Sequence, residues 1–171
     1  YRAVTLGLIE NNIKFEESLE LKNYLMHIKL EFTEHKSGAL LFLNGSNVTK
    51  KIRTSLVTKN VSEVSALKIV RKFMVDIQRE IAKNCDCVLE GRDIGTVVFP
   101  NADFKFFLVA DEKSRAKRRF DDLSKSGLLD SIDLDDVLRD LNKRDHNDST
   151  RKNSPLKKAY DAKTIDNTNL T

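Results

Sequence analysis

The sequence predicts an α/β fold with a parallel sheet at its centre, and three observations carry that expectation. Two short apolar runs, 88–89 and 104–109, read as parallel strands buried on both faces. Between them lies a segment punctuated by Gly91 and Gly95 that carries Glu90, Arg92 and Asp93. On either side stand stretches with helical periodicity. Charges between two buried strands belong at a strand's C-terminal mouth, where open α/β sheets bind ligands. The two glycines give the turn its backbone freedom. An Arg beside an Asp offers a fork for an anion and an acceptor for an amino group, although the same pair also suits a salt-bridged turn.

With 171 residues, the chain can form one compact domain with an inserted subdomain. Hydrophobic residues make up 40% and charged residues 33%, the balance of a soluble globular protein. No apolar run approaches the ~20 residues a membrane span needs, so no membrane partner is expected. Cys85 and Cys87 are too close for an ordinary structural disulfide, and no Cys or His cluster completes a metal site. They are read as buried, inert thiols in a reduced cytoplasmic setting. A net charge of +4 fits an anionic partner, either nucleic acid or a nucleotide's phosphates.

In chain order, Val4, Leu6, Leu8 and Ile9 predict a helix at the start. Residues 15–24 read as a short helix or loop. Stretches 25–32 and 38–43 read as strands of a small antiparallel sheet, with Asn44-Gly45 supplying turn chemistry. His27 and His35 lie in or beside these strands without spaced ligand partners. Ser62 is a possible cap for a helix over 66–83, whose apolar face is Leu67, Val70, Phe73, Met74 and Ile77. Arg71 is singled out on it. A charged helix over 111–123 carries Arg115, Arg118 and Arg119, which suit a solvated face, a nucleic-acid stripe or a polyphosphate clamp. A second helix is expected over 134–141. Beyond it Arg144, Asp148 and Arg151, spaced four and three apart, would share a helix face. The last strand is expected at 163–166.

Taken together, the runs G-R-D-I-G-T-V-V-F-P, R-A-K-R-R and R-D-H-N-D-S-T-R-K-N-S-P-L-K-K-A-Y-D-A-K-T-I-D-N-T closely resemble bacterial cytidylate kinases. The likeness reaches back through N-G-S-N-V-T-K-K-I-R-T to Y-R-A at the first residues. These are P-loop nucleoside monophosphate kinases. The resemblance implies a three-layer parallel-sheet core, a small antiparallel monophosphate-binding insert over 20–75 and a helical lid over 120–152, all in one domain over 1–171. It further implies transfer of the γ-phosphoryl group of ATP to CMP or dCMP with Mg²⁺, by a cytoplasmic monomer acting in pyrimidine nucleotide metabolism.

Carried over residue by residue, the resemblance places Arg2 and Arg92 on the substrate phosphate. Asp93, Arg71 and Arg151 fall on the cytosine ring, and Ser62, Arg144 and Asp148 on the sugar. Arg118 is placed near the ATP phosphates, and Arg118, Arg144 and Arg92 are the catalytic candidates. Such a set is chemically coherent, because phosphoryl transfer needs positioning and charge neutralisation more than a covalent nucleophile. Two departures matter. None of the 6 glycines is followed by Lys, so no G-x-x-x-x-G-K-[S/T] phosphate loop is present. The family's C-terminal helix has no counterpart either. The expectation is a piece of a longer protein, truncated at both ends, inactive and poorly folded alone. Asn47 and Glu90 stand where the family often has Asp.

The rival from another class is a basic nucleic-acid-binding module. It leaves the carboxylates unexplained: 26 acidic residues stand against 30 basic, and Trp is absent. No nucleic-acid partner is therefore expected. A kinase that also accepts UMP, and a catalytically inactive piece, remain open.

Overall fold

The computed structural model describes residues 1–33, 36, 38–83, 86–125 and 133–170. His35 and Cys85 lie outside them, and with them what the sequence suggested for these two residues. The chain divides into two compact units, Tyr1–Glu80 and Ile81–Thr171.

The first unit holds the larger apolar core. Helix α1, Arg2–Glu10, is buried continuously from Ala3 to Leu8, as its nearly uniform apolar sequence requires. Helix α2, Leu19–His27, starts where the Ser18 hydroxyl accepts the Leu21 amide at 3.1 Å. Leu21 and Leu25, one turn apart, face the core. The strand expected over 25–32 is therefore only β1, Leu30–Thr33, because its first residues complete a capped helix. With β2, Leu40–Leu43, and β3, Ser46–Asn47, it forms the expected antiparallel sheet in the order β1-β2-β3. Asn44 at φ 50° and Gly45 at φ 77° make the tight hairpin turn that Asn-Gly favours.

After a single 3₁₀ turn at Lys51–Arg53 come helix α3, Ser55–Ala66, and helix α4, Lys68–Ala82. Ser62 is thus inside a helix and not a cap. The separation falls at Leu67, which is extended (φ −64°, ψ 128°). The new helix start is satisfied from a distance: the Glu17 carboxylate accepts the Ile69 amide at 3.2 Å.

Packing of α1 against α2 gives a stability test. A Cβ on Gly7 would lie 1.8 Å from the Tyr24 hydroxyl and 3.1 Å from Leu43 Cδ2. Gly7→Ala gains about 1 kcal/mol of helix propensity but overpacks this contact, typically at about 1–3 kcal/mol. Thermal melting should show net destabilisation, relieved in part by Tyr24→Phe, because that hydroxyl has no hydrogen-bond partner among the described residues.

In the second unit, strand β4, Phe106–Val109, pairs in parallel with β5, Lys163–Asp166, with Phe106 opposite Lys163 and Val109 opposite Asp166. The connection runs through helix α5, Glu112–Lys125, and helix α6, Leu134–Thr150. A reciprocal Asp133/Asp136 capping box starts α6. That helix continues nine residues beyond the stretch expected to end at 141, through sequence with no apolar period.

Two expectations for the centre fail. Val88 and Leu89 form no strand, and Val88 is 95% exposed: two apolar residues supply too little ladder or burial to hold one. Strand β4 is also not buried on both faces, since Phe106 is 58% and Leu108 61% exposed and β5 is the one strand paired with it among the described residues. Cys87 is exposed, contrary to the buried thiol expected. No described helix is long and apolar enough to cross a membrane.

Candidate active site

The chemistry-bearing residues of the second unit converge on two aspartates of α6. Residue 93 is where the loop chain enters a single π-helical turn, Ile94–Val98, in which the Asp93 carbonyl accepts the amides of Val97 and Val98. This turn fixes Arg92 and Asp93, and neither Gly91 nor Gly95, expected to give it backbone freedom, has a positive φ. Close packing is what Gly91 relieves, because a Cβ there would meet Ile94 Cγ1 at 2.8 Å.

Asp148, 4% exposed, is ringed by cations. Its Oδ1 accepts Arg151 at 3.0 Å, and its Oδ2 lies 3.3 Å from Arg92 Nε and 3.8 Å from Arg144 Nε. Arg151, which ends α6, also donates its Nε to the Ser154 carbonyl at 2.7 Å and lies 4.0 Å from the buried Asp93. One turn earlier, Asp145 takes a guanidinium on each oxygen, Arg92 on Oδ1 at 2.6 Å and Arg115 of α5 on Oδ2. Four guanidiniums thus face three carboxylates.

Burial and the neighbouring Arg92 charge lower the Arg144 pKa, with Asp148 opposing. For Asp145, burial would raise the carboxyl, but the Arg115 hydrogen bond and the Arg92 charge outweigh it and hold the pKa below the usual range. Its ion pairs therefore persist above the ordinary Asp value of about 3.9 and are lost only as pH falls through the lowered one.

Arg118 is placed differently. Its guanidinium holds the segment after β5, donating to the carbonyls of Asn167 at 2.6 Å, Thr168 at 3.1 Å and Leu170 at 2.7 Å. It does not join the aspartate cluster.

In the first unit, Arg2 donates to Thr58 Oγ1 at 2.9 Å and to the Ile52 carbonyl at 3.0 Å. Arg71, 4% exposed, donates to the Ser65 carbonyl at 2.9 Å, and its guanidinium lies 5.5 Å from the centre of the Tyr1 ring. Thr58, Ser62 and Ser65 are spaced four and three apart, so they share one face of α3. Ser62 therefore lies between the two arginine anchors. His27 is an exposed residue whose Nδ1 is 2.7 Å from the Asn23 carbonyl.

A family model described as Cytidylate kinase matches residues 1–171. The chain is 47% identical over 171 residues to a cytidylate kinase of Fusobacterium nucleatum subsp. nucleatum, covering all of this chain and 76% of that protein. It is 44% identical over 171 residues to a cytidylate kinase of Lactobacillus johnsonii, covering all of this chain and 74% of that protein. A cytidylate kinase of Bacteroides fragilis is 44% identical over 176 residues, with 76% of its length covered. The chain belongs to the cytidylate kinase family.

Within this cytidylate kinase family member, the structure gathers Arg92, Asp93, Arg144, Asp148 and Arg151 into one cluster. It adds two members that reading the sequence did not assign, Asp145 and Arg115. Asp145 had a signal: it sits three residues before Asp148 in a run predicted to place Arg144, Asp148 and Arg151 on one face. Arg115 had none that separated it from Arg118 and Arg119.

Proposed function

We propose that the chain carries the nucleoside monophosphate site of an enzyme that transfers the γ-phosphoryl group of ATP to CMP or dCMP. The observation that carries this reading is the cluster of four guanidiniums and three carboxylates in the second unit, held on family motifs. An excess of cationic forks suits a phosphate, and buried carboxylates suit a sugar hydroxyl or a base amino group.

In this reading Arg2 and Arg92 hold the substrate phosphate, Asp93, Arg71 and Arg151 read the cytosine ring, and Ser62, Arg144 and Asp148 take the sugar. Arg92, Arg144 and Arg118 neutralise charge that develops during transfer, and no covalent nucleophile is required. For Arg118 to act on ATP phosphates, their oxygens must replace the 167–170 carbonyls it now holds. Residues 20–75 serve as the monophosphate-binding insert and 120–152 as a lid whose closure excludes water. The protein acts as a cytoplasmic monomer.

Mg²⁺ would supply neutralisation of the phosphate charge in such a transfer. The described residues contain no group of three His, Cys, Asp or Glu side chains able to hold a metal, so no step is assigned to it through this chain.

The sequence spans about three quarters of its relatives' lengths and has no phosphate loop, so the test uses the full reading frame. Coupled ADP-release assays over a panel of nucleoside monophosphates should show turnover with CMP and dCMP well above that with AMP and GMP. No CMP-dependent ADP release would refute the proposal.

A further inference from the structure

The geometry points to Asp145 as a positioning residue: with one guanidinium on each carboxylate oxygen, it sets Arg92 and Arg115 side by side as a paired receptor for a single phosphate group. This inference rests on the proposed phosphoryl-transfer reading and assigns roles to two residues that reading leaves unused.

Three observations support it. Arg92 is held at two corners, Nε by Asp148 and NH1 by Asp145, and no described residue partners its NH2. Arg115 likewise gives only NH1 to Asp145 among the described residues. Both side chains are 33% exposed, far more than the 9% of Arg151, which is occupied by Asp148 and Ser154. The two pinned arginines thus keep donors that no described residue claims, the buried Nε of Arg115 among them, and their side chains are a third exposed, unlike that of Arg151.

A simple salt-bridged brace would not need this form. Were Asp145 only tying α5 to α6, its bond to Arg115 would suffice, yet its other oxygen is committed to Arg92, which comes from the loop ahead of the π-helical turn. Sharing one carboxylate forces two like charges together, an arrangement that an added dianion relieves. The carboxylate holds the forks at fixed orientation until that dianion arrives, so that reorganisation is small when transfer begins.

The phosphate can belong to the nucleoside monophosphate or to ATP, and the kinetic arms separate these. In the full-length protein, Asp145→Asn preserves size and one acceptor but releases the charge-assisted hold. A misplacement of about 1 Å can cost about 10²-fold in rate, and a fall in kcat of at least tenfold is expected here, in a folded protein whose Tm falls by no more than about 4 °C as the paired charge is lost. A rise in KM confined to CMP places the receptor on the monophosphate, and one confined to ATP places it on the triphosphate.

Arg115→Ala and the double variant complete a cycle. Because Asp145 acts through the arginines, the double variant should be little worse than the worse single one. If Asp145→Asn lowers Tm while kcat and both KM values stay within a factor of three, or if the two substitutions multiply independently, the inference is overturned.

Should the parent protein fail to phosphorylate CMP, the functional reading fails first, and binding alone decides the inference. Pyrophosphate titrated against the arginine side-chain ¹⁵Nε resonances should then bind Asp145→Asn at least tenfold more weakly. Equal affinity would overturn the positioning role.

Discussion

Asp148→Ala should destabilise the protein by about 3–5 kcal/mol, the cost typical of removing one partner from a buried ion pair. The carboxylate is 4% exposed and serves Arg92, Arg144 and Arg151, the last with a side chain 9% exposed. Without it, Arg151 still donates to the Ser154 carbonyl, but the carboxylate paired with its NH1 is gone. Among the described residues of the second unit few apolar side chains are fully buried, Val98, Ala116 and Val137, so little hydrophobic burial offsets the loss. For a chain of this size the change corresponds to a fall in Tm of about 10 °C. Exposed pairs provide the control. Removing Glu31, paired with Lys29 at 2.8 Å with both side chains largely exposed, should change stability by less than about 1 kcal/mol. A shift below 2 °C for Asp148→Ala would show that the cluster is solvated and contributes little.

How much of this was legible in the sequence follows the range of the interactions involved. Strand β5, the Asn44-Gly45 turn, α1 and α5 depend on local pattern and turn chemistry, and each lies where it was expected. The helix of residues 19–27 was half legible: 15–24 read as a short helix or loop, but Leu25 begins a run that also alternates, and a short window fits both periods. The break at Leu67 has no Gly or Pro to announce it. It depends on Glu17 capping Ile69 from 52 residues away. The second half of α6 is likewise held by tertiary ion pairs, Arg92 and Arg115 on Asp145 and Arg92 on Asp148, so polar sequence without an apolar period still forms a helix. For the same reason the clustering of Arg92, Asp93, Arg144, Asp148 and Arg151 was foreshadowed through motif likeness, while Asp145 and Arg115 emerged only once the fold had brought three elements together.

Asp93→Asn should alter the preference between cytosine and uracil nucleotides. Cytosine presents an N4 amino donor where uracil presents an O4 acceptor. A carboxylate accepts from the first and repels the second. Hydrogen bonds to charged groups contribute about 1.5–3 kcal/mol, or roughly 10- to 150-fold in specificity. Asp93 is 6% exposed, so solvent does little to screen the contact. The amide keeps the size and can donate to O4, so kcat/KM for CMP should fall while that for UMP holds or rises. A competing role is evident in the structure, since Asp93 lies 4.0 Å from Arg151. If it only positions that arginine, both substrates suffer equally and the CMP to UMP ratio stays constant.

Direct phosphoryl transfer to a cytidine monophosphate at the arginine and aspartate cluster is tested most directly by following the phosphorus atom. Full-length protein is incubated with γ-³²P-labelled ATP, Mg²⁺ and CMP, and the products are separated by chromatography. Label is expected in CDP, equal in amount to the ADP formed and strongly reduced in Arg92→Ala. Label released only as inorganic phosphate, or CDP formation unaffected by Arg92→Ala, would contradict it.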